Sequence, residues 1–408
     1  MHILILTQYF PPEIGASQAR LDFYAHYFAK MGNRVTVVTT FPNYPSGVVR
    51  DGYRNACILR EKTPELEIVR TWFWEDGCKS GKARLKWYVS FMFSSLIGAI
   101  RTDKPDIIIV ENPPLFVGIT ASILRFLWNV PVINHVSDMW VDAAVNFGFI
   151  KSKWQLHIAR RIERFVLTHC DGIISVTEKV HAHALKFQNS SRVHLISNGV
   201  DADLYLKKSP DSDLLKSLGL EGNFIVTYAG TMGFQHGLDV IIEAAEIIQQ
   251  RFNSIKLIFI GDGSEKERIQ RIVYLRNISN VIFIEPQTQK RLVDYLNISA
   301  VGISTLKHAD FTSGILPVKI FSYMACELPV IATDIGESGL LVKKAGCGIT
   351  VPPEDPRAIA DTIMRLYSNR ALIAEFGRKG REFVEAHFSR KKSAQSLLEL
   401  MVRTVSLS

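Results

Sequence analysis

A glycine-rich turn in the second half of the chain has the composition of a phosphate-binding site. Gly230 and Gly233 separate an apolar, β-prone segment at 224–228 from a segment at 238–250 whose apolar residues recur with helical spacing. A strand, a glycine turn and a helix start direct backbone N–H groups and the positive end of a helix dipole at one spot, which suits a phosphate. Such turns are also common as purely structural features of α/β proteins, so this assignment depends on the rest of the chain.

Polar residues also follow predicted strands in the first half of the chain. The first strand leads into a loop with Gly15, and a later apolar strand ends in a segment that carries His135, Asp138 and Asp142. Residues at the carboxyl ends of parallel strands line the ligand crevice of a doubly wound sheet. The Gly15 loop has one glycine instead of G-x-G-x-x-G, and no acid ends the second strand, which disfavours a dinucleotide-dependent dehydrogenase. His135 is equally compatible with a structural role and with a site.

The elements that would position these residues alternate along the whole chain. Apolar β-prone segments are followed by segments of helical periodicity in both halves. This alternation predicts an α/β fold of doubly wound parallel sheets covered by helices, and 408 residues are enough for two such domains. A strand with an Asn-Gly turn at 192–201 and the polar segment 204–213 together predict the link between the domains.

Composition disfavours several other classes of protein. No apolar run reaches the roughly 18 residues expected of a membrane-spanning helix, and Met1 leads directly into a strand, so we expect no signal peptide. The five cysteines are scattered without a CxxC pair, which is typical of a reducing compartment and disfavours a structural metal. No internal repeat is visible.

Positive charge and tryptophan are concentrated in the first half. Residues 1–200 contain 23 Lys and Arg against 16 Asp and Glu, and all six tryptophans, whereas the remainder contains 25 basic and 24 acidic residues. A basic, aromatic-rich half indicates an anionic partner. From charge alone, nucleic acid, an anionic membrane and a phosphorylated acceptor all fit.

The segment 79–100 combines both features. It begins with four basic residues and continues with apolar residues on almost all sides. One interpretation is an interfacial helix that presses into an anionic bilayer, with Lys79, Lys82, Arg84 and Lys86 at the headgroups and aromatic rings beside them. The other is a buried core helix with a basic cap.

Motifs throughout the chain resemble those of family 4 glycosyltransferases of the GT-B fold. The segments that carry the resemblance are GASQAR (15–20), NGVD (198–201), YAGTMG…HGLD (228–239), GDG (261–263), KIFSYMACELPVIATDIGE (319–337) and GRKGREFVEAHFS (377–389). The YAG-x-x-G-x-x-HGLD form at 228–239 and the P-x-KIF-x-YMA form at 317–325 are most similar to O-antigen and capsule transferases of the WbuB-like kind. The likeness runs nearly from end to end in conserved order.

The resemblance implies two Rossmann-like domains that face a central cleft. We expect an acceptor domain at 1–200, completed by a C-terminal helix at about 388–408, and a nucleotide-sugar domain at 201–387. The implied activity is retaining transfer from a nucleotide-diphosphate sugar, expected to be a UDP-sugar, to a lipid-linked or polysaccharide acceptor. No metal or other cofactor and no nucleic acid partner is expected. The expected location is the cytoplasm, with peripheral attachment to the anionic inner membrane surface.

Site residues are carried over position by position. The expected catalytic residues are Asp138, His135 and Lys319; the expected donor-binding residues are Gly15, Ala16, Gly230, Thr231, Gly233, His236, Gly261, Asp262, Glu285, Gln287, Gly314, Lys319 and Ser322; and Arg20 and Asp142 are expected on the acceptor side. Without a metal, the developing charge on the diphosphate needs backbone N–H groups, a helix N-terminus and cations. The cations of the family's glycine turn are replaced by Thr231 and His236, so Lys319 is the expected main cation and His236 a second one.

Two features depart from the family pattern. Its E-x7-E carboxylates fall on Gly314 and Ser322, and the His-Asp pair at the strand exit reads Ser137-Asp138, with His135 two residues earlier. A nucleotide-sugar-binding GT-B protein without turnover is therefore the alternative to an active transferase.

Overall fold

The protein divides into two compact units. The computed structural model describes residues 1–43, 47–53, 56–75 and 81–407. Unit 1 comprises Met1–Ser197 together with Lys391–Ser408, and unit 2 comprises Asn198–Arg390. The boundaries predicted from the sequence, after residues 200 and 387, each differ from these by three residues.

Unit 1 is built on an eight-stranded sheet with the order β3-β4-β2-β1-β5-β6-β7-β8. All neighbouring strands are parallel except β3, which is antiparallel to β4. Its strands are β1 (His2–Leu6), β2 (Arg34–Thr40), β3 (Ile58–Lys62), β4 (Leu66–Thr71), β5 (Ile107–Asn112), β6 (Val132–Val136), β7 (Gly172–Ser175) and β8 (Val193–Leu195). Its helices are α1 (Ala16–Lys30), α2 (Gly81–Ile100), α3 (Leu115–Trp128), α4 (Trp140–Asn146), α5 (Lys153–Thr168) and α6 (Glu178–Ala184).

Helices cover both faces of this sheet. On one face, Leu4 and Val110 pack with Phe91 of α2 and Leu124 of α3. On the other face, α1 packs together with the C-terminal helix Arg390–Ser406, which supplies Leu397 to the same core as Ile109. The near-continuous apolar strands of this parallel sheet reflect burial on both sides.

Unit 2 is built on a six-stranded parallel sheet with the order β11-β10-β9-β12-β13-β14. Its strands are β9 (Phe224–Ala229), β10 (Ile255–Ile260), β11 (Val281–Ile284), β12 (Val301–Ser304), β13 (Val330–Thr333) and β14 (Gly348–Val351). Its helices are α7 (Ser212–Ser217), α8 (Asp239–Gln249), α9 (Lys266–Leu275), α10 (Gln289–Asn297), α11 (Val318–Ala325), α12 (Gly336–Ala345), α13 (Pro356–Tyr367) and α14 (Arg370–His387). The C-terminal helix Arg390–Ser406, which packs in unit 1, is α15. The predicted α/β class and the predicted alternation of strands and helices in this half of the chain are confirmed.

Helix α1 begins directly after Gly15, so Ala16 is its first residue. The chain passes from unit 1 to unit 2 between Ser197 and Asn198, inside the segment 192–201 that was predicted as part of the link. The polar segment 204–213, predicted as the rest of the link, lies within unit 2 instead. Tyr205 is buried in that unit's core, and the Asp211 side chain accepts hydrogen bonds from the backbone N–H groups of Asp213 and Leu214 at the start of α7.

Helix α2 combines the two interpretations of its sequence. Trp87 and Phe91 are buried in the core of unit 1, so the expectation that these aromatic rings contact headgroups is wrong. Phe93 and Ile97, in contrast, are each more than half exposed. Lys79 and the side chain of Lys82 lie outside the described part of the chain. No helix in the described residues is long and apolar enough to cross a bilayer.

Candidate active site

Two glycine turns pack backbone to backbone at the carboxyl ends of β9 and β10. The Gly230 N–H donates to Ile260 O (2.9 Å), and the Met232 N–H donates to Asp262 O (2.8 Å). Gly261 has a φ of +137°, and a Cβ there would lie 2.2 Å from the Gly230 oxygen, so only glycine permits this approach. The second turn thereby fixes the shape of the first.

This packing decides which N–H groups of the first turn remain free. Within the described residues, the backbone N–H groups of Thr231 and Gly233 donate to no protein acceptor. From the sequence, the whole turn at 230–233 was expected to offer its N–H groups to a phosphate, but those of Gly230 and Met232 already donate to Ile260 O and Asp262 O. Free N–H groups on alternate residues form the kind of concavity that binds an anion.

Lys319 lies beside the glycine turn, on the first turn of α11. Its ammonium group is buried, has no hydrogen-bond partner among the described residues, and lies 3.9 Å from the centre of the Tyr228 ring. A Cβ at Gly230 would lie 3.5 Å from its Nζ. Burial lowers the pKa of Lys319 from its ordinary value to about 7. The ammonium is thus desolvated, has no carboxylate partner in the described part of the chain, and lies beside Gly230 of the turn.

Tyr228 connects this cation to the turn. Its ring holds the Lys319 ammonium through a cation–π contact, and its hydroxyl donates to Thr231 O at 2.6 Å. Burial raises the pKa of Tyr228 well above its ordinary value, so the phenol stays neutral. Tyr228 could not be selected from the sequence, because an aromatic residue within a strand usually belongs to the core.

In the ligand-free protein, His236 does not carry the charge expected of a second cation. Burial, together with the nearby Lys319, lowers the pKa of His236 well below its ordinary value, so the ring is neutral. Its Nδ1 lies 3.2 Å from Thr305 O, and the Thr305 hydroxyl donates to His236 O at 2.6 Å. His236 therefore ties the turn to the end of β12.

The segment after β11 contains an ion pair that the sequence did not reveal. Glu285 Oε1 lies 2.7 Å from the Nζ of Lys266, a mostly buried residue at the start of α9. Gln287 donates from Nε2 to Glu285 O at 2.9 Å, and Asp262 accepts from the Gly263 N–H at 2.8 Å. Lys266 follows the second glycine turn by three residues, and this position was the available signal.

The positions of the missing E-x7-E carboxylates are both buried in unit 2. Gly314 ends a 3₁₀ turn at Thr312–Gly314, on which α12 packs closely. Ser322 is buried on α11 and offers a hydroxyl where the family has a carboxylate.

In unit 1, four polar residues form a buried network at the carboxyl ends of β5 and β6. The Arg20 guanidinium donates to Glu111 and, at 3.2 Å, to the Ser137 hydroxyl. Ser137 donates to Glu111 Oε1 at 2.7 Å, and His135 Nδ1 lies 3.2 Å from Glu111 Oε2. Arg20, Glu111 and His135 are each at most 2% exposed.

The charges of this network support one another. Burial alone would raise the pKa of Glu111, but Arg20, His135 and Ser137 together lower it to about 2. Burial and Arg20 lower the pKa of His135, which is therefore neutral near pH 7. The sequence analysis missed Glu111; the available signal was a carboxylate at the end of an otherwise apolar strand.

Asp138 directly follows this network and is exposed at the strand exit. Desolvation by the surrounding protein and the charge of the Glu111 carboxylate raise the pKa of Asp138. Because Asp138 also contacts solvent, the size of that shift is limited.

Asp142, predicted on the acceptor side, forms a bidentate ion pair with Arg160 at 2.6 and 3.2 Å. That pair links α4 to α5. Gly15 precedes α1, and Ala16 is the first residue of this helix, which also carries Arg20.

Comparisons with known proteins identify relatives along both units. The family described as Glycosyl transferase 4-like domain matches residues 15–199, and the family Glycosyl transferases group 1 matches residues 212–383. The proposed colanic acid biosynthesis glycosyl transferase WcaI of Escherichia coli (strain K12) is 25% identical over 92% of this chain and 97% of its own length.

Solved structures share the fold over the full length. Sucrose-phosphate synthase from Thermosynechococcus elongatus has a TM-score of 0.73 at 19% identity and covers 100% of both chains. HepE of Anabaena, in complex with UDP-glucose, has a TM-score of 0.72 at 16% identity and covers 99% of this chain and 100% of its own. Within the described residues, no group of three or more His, Cys, Asp or Glu side chains is arranged to hold a metal ion.

Proposed function

This chain belongs to the family 4 glycosyltransferases of the GT-B fold, and we propose that it moves a sugar from a UDP-sugar to a lipid-linked or polysaccharide acceptor with retention of anomeric configuration. In this proposal unit 2 binds the nucleotide sugar and unit 1 binds the acceptor. The name of the Escherichia coli relative supports a role in the synthesis of a cell-surface polysaccharide, and the UDP-glucose complex of HepE supports a uridine nucleotide.

The observation that carries the proposal is the buried ammonium of Lys319, which has no hydrogen-bond partner among the residues that the structure describes. A buried lysine without a counter-charge destabilises the folded protein, and an anionic ligand at the adjacent turn removes that cost. The free N–H groups of Thr231 and Gly233 lie at this turn. Backbone N–H groups and a cation at one turn can stabilise the charge that develops on a leaving diphosphate.

Asp138 is proposed to position a hydroxyl of the donor sugar or of the acceptor. It is exposed at the carboxyl end of β6, and the neutral His135 belongs to the network beneath it. We assign Asp138 no covalent role. The resemblance implies front-side attack, in which the donor phosphate receives the acceptor proton, so the protein would need only to orient the two substrates and stabilise the leaving group.

An anionic membrane is the proposed meeting place with a lipid-linked acceptor. Helices α2 and α3 contact each other through Thr120, whose hydroxyl donates to Met92 O at 2.9 Å. Together they expose large apolar side chains, which we call the apolar helix face: Leu85, Phe93, Ile97, Ile100, Ile123, Phe126 and Leu127. Phe126 is 87% exposed. Arg84 and Lys86 at the start of α2 add positive charge, and an apolar patch with basic residues fits an anionic bilayer surface.

Release of UDP tests the proposal. The purified protein is mixed with a panel of nucleotide sugars, first selected by thermal stabilisation, and with membrane extract that contains lipid-linked glycans. We expect acceptor-dependent release of UDP from one donor, and a loss of kcat on the order of 10²-fold for Lys319→Ala, which is the usual effect of removing one preorganised stabiliser. Donor binding without acceptor-dependent release would instead favour the binding protein that the absent carboxylates at Gly314 and Ser322 suggest.

A further inference from the structure

Glu111 connects the three chain segments that surround the proposed acceptor side of unit 1. Its carboxylate accepts hydrogen bonds from Arg20 on α1 and from Ser137 after β6, and it faces His135 within β6. Arg20 is one helical turn after Ala16, the first residue of α1, and Ser137 directly precedes Asp138. One side chain thus links the start of α1 to the residue before Asp138.

Stability alone does not account for this network. Arg20 and Glu111 are separated by 91 residues and are almost completely buried. Replacement of a buried ion pair by apolar side chains of similar volume is often neutral or stabilising, because the charges no longer have to be desolvated. The surrounding sheet is apolar, since Ile109 and Ile133 occupy the same face.

The contacts of Ser137 show where the network acts. Its backbone N–H donates to Asn112 O at 2.8 Å, which continues the pairing of β5 with β6. Its hydroxyl donates to Glu111 and accepts from Arg20. Ser137 is therefore fixed by its backbone and by its side chain, and the direction in which the next residue leaves the strand follows from both.

We propose that Glu111 is a positioning residue for sugar transfer, which acts through Ser137 to hold Asp138 in its productive orientation. Arg20 neutralises the Glu111 charge and turns the carboxylate towards Ser137, and so has a positioning role as well. This inference rests on the proposed function, because it assumes that Asp138 orients a substrate hydroxyl. It assigns a role to a residue outside the family motifs of this chain.

Two variants separate positioning from stability. Ser137→Ala removes the hydroxyl link and leaves the Arg20–Glu111 pair and the Ser137 backbone bond in place. The double variant Arg20→Met/Glu111→Met removes both charges together and leaves no buried charge unpaired. We expect a Tm within about 4 °C of the wild type for each, unchanged UDP affinity, and a kcat reduced about tenfold for Ser137→Ala and on the order of 10²-fold for the double variant.

Arg125→Met is the matched control. Arg125 makes a bidentate ion pair with Asp171 at 2.7 and 2.8 Å. Asp171 directly precedes β7, so this pair lies at the amino ends of the strands, opposite the carboxyl ends where Glu111 lies. Its kcat should equal that of the wild type. Glu111→Asp, which keeps the charge on a shorter side chain, should recover part of the activity that the double variant loses.

The outcomes are distinguishable. If Ser137→Ala or the folded double variant turns over at the wild-type rate, the positioning role is overturned. A fall of kcat in the Arg125→Met control equal to that in the double variant also overturns it, because any loss of an ion pair would then have the same effect. A wild-type protein that binds UDP-sugar without transferring it refutes the proposed function instead.

Discussion

UDP binding should be coupled to uptake of a proton by Lys319. In the ligand-free protein, burial lowers the pKa of this lysine to about 7. A diphosphate next to the ammonium would favour the charged form and restore the pKa towards its ordinary value. The protein should therefore bind a proton together with UDP at any pH between these two values.

The size of the effect follows from the pKa. At pH 8 a lysine with a pKa of about 7 is about one-tenth protonated, so restoration of the ordinary pKa requires uptake of roughly 0.9 proton. At pH 6 the group is already about nine-tenths protonated, and the uptake falls to roughly 0.1 proton. Above pH 7, UDP affinity should fall by up to about tenfold per pH unit, because binding then requires the uptake of this proton.

The same shift gives the ligand-free protein a defined dependence of stability on pH. Between pH 7 and about 10.5 the unfolded chain binds a proton at Lys319 that the folded chain does not. The unfolded state then binds more protons, so the contribution of this residue to the free energy of unfolding rises with pH, by up to about 1.4 kcal/mol per unit. Below pH 7 both states are protonated and the cost of the buried charge is fully present.

Isothermal titration calorimetry measures the linked proton. UDP is titrated at pH 6, 7 and 8 in pairs of buffers with different ionisation enthalpies, and the slope of the apparent binding enthalpy gives the proton number. Lys319→Met should abolish the uptake, and Lys319→Arg should bind UDP without uptake because arginine stays charged. His236→Gln is the matched control, since His236 also has a lowered pKa at this turn.

Two results would refute this reasoning. One is a wild-type proton number near zero at pH 8, which would show that the diphosphate does not contact Lys319. The other is wild-type uptake that persists in Lys319→Met and disappears in His236→Gln, which would assign the proton to the histidine. In that case the neutral, structural role given to His236 would also be wrong.

Three further outcomes are expected. Asp138→Asn should lower kcat while UDP affinity stays unchanged; an equal loss of both would place Asp138 in the nucleotide site. Gly261→Ala should destabilise unit 2 by about 2 kcal/mol or more, measured by urea unfolding, because its Cβ meets the Gly230 oxygen at 2.2 Å. Replacement of Phe93, Ile97 and Phe126 by Ser should reduce sedimentation with anionic liposomes without affecting UDP binding; unchanged sedimentation would exclude the apolar helix face as the docking surface.

Local patterns were sufficient for the fold and for selecting the glycine turn and Lys319 as candidate site residues. The alternation of strand and helix periodicity predicted both parallel sheets, because the spacing of apolar residues can be read within each short segment of the chain. The glycine turn and Lys319 were also found in advance, because each belongs to a short motif. Helix α2 shows the limit of such patterns. It is apolar on almost all sides, and its sequence does not say that Trp87 is buried while Phe93 is exposed.

The chain by itself therefore determined an α/β protein of two units with a candidate phosphate turn, and its tertiary structure decided how the site residues act. Packing of Gly261 on Gly230 left the N–H groups of Thr231 and Gly233 free. Burial beside Lys319 made His236 neutral, and a contact across 91 residues joined Glu111 to Arg20. Hydrogen-bond partners and charge states depend on groups that are distant in sequence, and for this reason no local pattern predicts them.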